Sequence, residues 1–232
     1  MKNILCVLIA LLLFGQMPTI AFADGDLTYE EGAQPYVETA KDLEVKEEKD
    51  RAIAKWILLG DPNNVYYTLS VPVYEQINSY YCGPATVKQV VQYLKSSSKT
   101  QQQYAQALGT TTSGTDMTRI PSVLNSEIGS RWYYIYSSIG SYGNWTDKII
   151  YCASNGIPVV LDINTTSVPA FPYNSSGHFV NTSGVDFRIL SSGTRSKVRI
   201  TDPWGPGLGN RWYNASDLYA ANNNHWRKAF IW

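Results

Sequence analysis

Apolar and polar positions change rhythm along this chain, and each rhythm predicts an element. Beyond Cys82, residues Val87, Val90, Val91 and Leu94 recur at helical spacing on one face. Gly83-Pro84 places proline in the first turn of that helix, where its missing N–H costs nothing. Residues 100–108 read as a second helix with Thr100 as its cap, and residues 118–128 as a third, weakened by Pro121. Residues 145–155 predict a helix ended by Gly156, followed by a buried strand over 157–163. Residues 65–71, 178–188, 197–201 and 228–232 are strand-like in their β-branched and aromatic content. Helices in the first half and strands in the second argue for an α+β fold, not a βαβ repeat.

The start of the chain follows other rules. Lys2 precedes an apolar run over residues 4–15, and Ala21-Phe22-Ala23 reads as a cleavage signal. This is the layout of a secretory signal peptide over residues 1–23, too short for a membrane anchor. The expected mature chain, residues 24–232, is secreted, without stable membrane insertion. Residues 24–35 read as a flexible lead, and residues 36–58 look helical with a thin apolar stripe until 52–58.

Charge sharpens that division. The chain carries 19 Lys and Arg and 19 Asp and Glu. Residues 24–51 hold 10 acidic and 4 basic residues, a net of −6, and residues 52–232 hold 9 and 14, a net of +5. We therefore treat 24–58 as an acidic N-terminal extension or pro-region, and 59–232 as the main domain. The basic excess is scattered, which argues against nucleic acid as a partner. Two cysteines, Cys82 and Cys152, remain after processing, too few for a disulfide-built scaffold. One disulfide between them is the structural alternative to a reactive Cys82; otherwise Cys152 should be a buried core thiol.

The chemistry concentrates in Gln76-Ile77-Asn78-Ser79-Tyr80-Tyr81-Cys82-Gly83-Pro84-Ala85. A helix N-terminus favours negative charge, so a thiol placed there is readily made nucleophilic. Gln76 is a candidate donor to an oxyanion formed beside that sulfur. Of the two histidines, His178 opens a strand after Gly177 and is the candidate base. His225 lies in the polar run Asn222-Asn223-Asn224 and is expected to be exposed. Asp202, at the end of the next strand, is the candidate for orienting His178. Placing 202 opposite 178 requires a bulge near Gly184; without one, Asp186 or Asn181 becomes a rival. No H-E-x-x-H, C-x-x-C or histidine cluster calls for a metal, and no phosphate loop or G-x-S-x-G elbow is present. No cofactor is expected.

At these residues the chain resembles the C39-like branch of the papain-like cysteine peptidases. The resemblance rests on Val71-Pro72 through Gln76, on Tyr81-Cys82-Gly83-Pro84-Ala85, and on Leu108-Gly109-Thr110 with Gly114-Thr115. It continues in Gly156-Ile157-Pro158-Val159, Gly177-His178-Phe179-Val180 and Thr201-Asp202-Pro203, in the family's order over roughly residues 66–232. It implies a papain-like fold, with an N-terminal helical half and a C-terminal antiparallel sheet. It also implies Cys82 as nucleophile, His178 as base, Asp202 as orienting acid, Gln76 as oxyanion donor, and a peptide or protein substrate. The best-known members are fused to transporters and cut leader peptides at a double glycine, which a signal-bearing chain has no reason to share. The expected activity is a secreted, bacterial-type cysteine peptidase. Two alternatives stand beside it: a thiol acyltransferase or amidase on a non-protein substrate, and a non-catalytic secreted surface-binding module rich in Tyr and Trp.

Overall fold

The computed structural model describes residues 25–60, 64–130, 132–136 and 138–232; the predicted signal segment lies outside them. Six helices lie among the described residues: α1 (Ala40–Leu59), α2 (Cys82–Lys95), α3 (Gln101–Leu108), α4 (Ile120–Ile128), α5 (Tyr142–Ser154) and α6 (Ala215–Asn224). Nine strands accompany them: β1 (Val65–Thr68), β2 (Ile135–Tyr136), β3 (Val160–Ile163), β4 (His178–Phe187), β5 (Ile189–Leu190), β6 (Gly193–Thr194), β7 (Lys197–Thr201), β8 (Asn210–Asn214) and β9 (Phe230–Ile231). The fold is α+β. Seven strands form one antiparallel sheet in the order β2-β9-β3-β4-β7-β8, with β1 pairing along the far part of β4. No helix among the described residues is long and apolar enough to cross a membrane.

Local chemistry accounts for several boundaries. Thr100 caps α3 through a reciprocal pair with Gln103, and Gly109 ends it in the left-handed conformation. Pro121 sits in the first turn of α4, so it does not break that helix; a short 3-10 turn over Met117–Arg119 takes the place of the expected earlier start. Thr39 and Asp42 form a capping box at the start of α1.

Helix α2 is the centre of the molecule. Its apolar face packs Val87, Val90 and Val91 against Leu108, Leu124, Val160 and Phe179. Two polar contacts fix its register on the sheet. Thr86 donates to the carbonyl of Phe179 at 2.9 Å, and Asn181 donates to Gln89 at 2.7 Å. These contacts bring two of the candidate residues together. Cys82 lies one helical turn before Thr86, about 6 Å along the axis, and His178 lies one residue before Phe179.

The acidic extension divides into two parts. Helix α1 docks through Ile53 into the core shared with α5 and the sheet. Lys49 donates to the carbonyl of Trp232 at 2.5 Å, and Lys148 pairs with Asp50 at 3.0 Å. The stretch ahead of α1 was expected to be a flexible lead. Instead its first residues are buried, with Asp26 bridged to Thr115 as a short parallel pair.

Candidate active site

Cys82 is the first residue of α2. No side chain caps this helix, and its first intrahelical bond runs from the Ala85 N–H to the Tyr81 carbonyl. The helix therefore starts with N–H groups that no capping side chain accepts from. Cys82 and Cys152 are both free thiols.

His178 opens β4 beside that helix end. Its Nε2 lies 2.8 Å from Asp202 Oδ1, which leaves Nδ1 for the thiol side of the ring. Asp202 reaches this position because the ladder between β4 and β7 shifts register between Thr182 and Gly184. Thus the expected bulge is present. Glycine is required there, since a Cβ on Gly184 would lie 2.8 Å from the Tyr67 carbonyl. The two rivals are engaged elsewhere: Asp186 pairs with Arg188 and Arg195, and Asn181 with Gln89.

The Asp202 carboxylate is held on three sides. Oδ1 also accepts from the Trp204 N–H at 2.8 Å, and Oδ2 accepts from the Tyr173 hydroxyl at 2.7 Å. Tyr173 stacks on Trp204 with ring centroids 4.1 Å apart, and both rings meet His178 edge-on. Tyr173 was not anticipated; the only sequence signal is the aromatic pair Phe171 and Tyr173 shortly before His178.

Burial by itself would lower the pKa of His178. The charge and hydrogen bond of Asp202, with a smaller contribution from Cys82, outweigh that and raise it to about 9. The ring is therefore an imidazolium at neutral pH. Gln76 is tied to the same corner by its N–H, which donates to the Pro203 carbonyl at 2.8 Å. Its side-chain amide donates to the Asn78 carbonyl at 3.0 Å. Cys152 is a separate case: it is fully buried, and burial pushes it up to about 12 despite Lys49 and Lys148 nearby.

His225 departs from expectation. It is buried, not exposed, because the turn after α6 folds against Gly177 and Asp162. Burial and then the charge of Arg227 lower its pKa to about 3, so it is neutral. Asp26, Asp162 and His225 each offer one ligand atom within 4.8 Å of the others. The guanidinium of Arg227 already bonds Asp26 there, and its charge opposes a second cation.

A buried thiol at a helix start thus lies on one side of a histidine whose other side is paired with a carboxylate. The peptidase C39-like family matches residues 68–229, and the chain belongs to that family. Among solved structures it is similar to a double glycine motif protease from an AMS/PCAT transporter in complex with its leader peptide. That pair shares 15% identity over 71% of this chain and 91% of the other, with a TM-score of 0.47. The peptidase domain of Streptococcus ComA, a bifunctional ABC transporter in a quorum-sensing pathway, shares 13% identity over 70% and 96%, with a TM-score of 0.48. No curated protein matches the chain.

Proposed function

We propose that the protein is a secreted cysteine peptidase in which Cys82, His178 and Asp202 form the catalytic triad. The family supports cysteine peptidase chemistry in general. The observation that carries the residue assignment is the alignment of His178 between the Cys82 side of its ring and Asp202 at 2.8 Å. In this reading the Cys82 thiolate attacks the scissile carbonyl carbon, and the carbonyl electrons move to oxygen. As the C–N bond breaks, His178 gives its proton to the leaving amine, and a thioester remains on Cys82. Water then attacks the thioester while His178 takes one of its protons, releasing the carboxylic acid and restoring the Cys82 thiolate beside the His178 imidazolium. Asp202 fixes the ring in the tautomer and orientation that both steps need.

Gln76 is the proposed oxyanion donor. Its backbone is anchored at the Asp202-Pro203 corner, and its amide has a second N–H available beyond the bond to Asn78. Gln76→Ala is expected to lower turnover by roughly 10²–10³; a change below about threefold would remove it from the site. The signal peptide over 1–23 and export of the remainder belong to the same proposal, as does a pro-region or docked extension over 24–58.

The test is a peptide-library digest by the purified protein and by Cys82→Ala, with both proteins shown to be folded. Cleavage by the first and none by the second supports the proposal. Hydrolysis that persists in Cys82→Ala would reject it. Turnover of amides or esters without any peptide cleavage would favour the amidase or acyltransferase reading.

A further inference from the structure

The reactive residues are closed off: Cys82 is 2% exposed and His178 1%. The chain's own segment Gly25-Asp26-Leu27 does the covering. The Gly25 N–H donates to the Gly177 carbonyl at 2.5 Å, and the Gly25 carbonyl accepts from the Thr115 N–H at 2.9 Å. The segment continues along Thr115, whose carbonyl accepts from the Leu27 N–H at 3.4 Å. A Cβ on Gly25 would lie 2.7 Å from Cys82 Sγ and 2.8 Å from His178 Cα, so the backbone passes directly over the thiol.

The next side chain enters a pocket of unusual chemistry. Asp26 is 1% exposed. Its carboxylate accepts from Arg227 through both Nε and Nη2, and from the Met117 N–H at 2.9 Å. Arg227 is itself fixed by Asp116 at 3.1 Å and by the Gln34 carbonyl at 3.2 Å. Asp162 forms the floor of the pocket, and no donor reaches either of its oxygens. Burial, and then the charge of Asp26, push the Asp162 pKa well up. Asp26 is raised by burial to about 6 against the pull of Arg227, and at neutral pH it is ionised. Both hydrogen-bond partners of that carboxylate are donors, a guanidinium and a backbone N–H. An apolar side chain would leave Arg227 short of a partner, and an amide would turn its NH₂ toward one of these donors.

We propose that Arg227, with the Met117 N–H and Asp162, forms a subsite that selects an acidic side chain on a peptide bound across the thiol, and that Asp26 is its resident ligand. The consequence is that peptides with a glycine over the thiol followed by aspartate compete with the N-terminal segment for the cleft. The meaning of the subsite for catalysis rests on the peptidase reading, but occupancy can be measured without any turnover.

The experiment uses the full chain carrying Cys82→Ser, which prevents cleavage of the probe. A peptide matching residues 24–32, with a fluorophore at its C-terminus, is titrated by fluorescence polarisation, beside an analogue with asparagine in place of Asp26. In the Gly25→Ala protein the added methyl expels the resident segment. The aspartate peptide should then bind at least tenfold more tightly than to the protein with Gly25, and at least tenfold more tightly than the asparagine analogue. Adding Arg227→Gln should abolish the preference for aspartate. Unchanged affinity in Gly25→Ala, or equal affinity for the two peptides, would overturn the proposal. If Arg227→Gln does not fold, the paired peptides on Gly25→Ala decide it alone. A protein that cleaves nothing can still bind as expected, so this result is independent of whether the peptidase reading stands.

Discussion

Two buried histidine–aspartate pairs lie near the Gly25-Asp26 segment, and their opposite behaviour bears on which of them suits the proposed chemistry. His178 and Asp202 are 2.8 Å apart, and His178 rises to about 9. His225 and Asp162 are 3.6 Å apart; His225 falls to about 3 and Asp162 moves well up. Both pairs suffer the desolvation that burial imposes. The difference lies in their neighbours. Asp202 takes hydrogen bonds from Trp204 and Tyr173 that fix its carboxylate against the ring. Asp162 receives no donor and faces Asp26, while Arg227 repels a proton from His225. A histidine beside an aspartate is therefore not in itself an acid–base pair; the separation and the carboxylate's other partners decide.

The largest expected effect separates the two histidines. His178→Ala should lower turnover on a cleavable peptide by roughly 10²–10⁴, the range for loss of a general acid–base group. His225→Gln should produce no comparable loss. Steady-state kinetics on the two variants checks this, and equal losses would remove the distinction.

Asp202→Asn should act next, through the pH profile as well as the rate. In the wild type, activity that needs imidazolium should decline as pH rises through about 9. Removing the carboxylate deletes the main influence that raises His178, while the burial that lowers it remains. The alkaline limb should therefore move down, by at least one pH unit. A limb that stays near 9 in Asp202→Asn would assign it to another group.

Tyr173→Phe should have the smallest effect. It removes one hydrogen bond to Asp202, worth about 1 kcal/mol, and should lower turnover by less than about tenfold. With one donor fewer the Asp202 carboxylate is the better acceptor for the imidazolium, so the alkaline limb should move up, opposite to Asp202→Asn and by less. A rate loss with no movement of the limb would mean that Tyr173 acts only through packing on Trp204.

The difference between the two pairs also marks what could be read from sequence. The motif around Cys82, the strand opening at His178 and the bulge near Gly184 depend on local spacing, and they are legible for that reason. The fate of His225 is not local. Asn222-Asn223-Asn224 reads as a polar loop, yet it closes α6, and Asn222 is buried. Its amide donates to the carbonyls of Asp162 and Ala229 and accepts from the Trp145 indole. Tyr173 is similar: it sits among Pro, Asn and Ser, and its role follows from a partner 29 positions away. Asp26 looked like part of a charged lead because its partner, Arg227, is 201 residues distant. Buried polar contacts between remote segments leave no periodicity to detect, whereas capping, turn and helix-start chemistry does.

The central claim is that Cys82, coupled to His178, is the reactive thiol and that Cys152 is an inert core residue. Site-resolved mass spectrometry after iodoacetamide treatment at neutral pH tests it most directly, in the native protein, in Gly25→Ala, and in Gly25→Ala with His178→Ala. Cys82 should label faster than Cys152 in Gly25→Ala, and its labelling should fall at least tenfold when His178 is also replaced. Labelling of Cys152 at an equal or greater rate, or a Cys82 rate indifferent to His178, would contradict it.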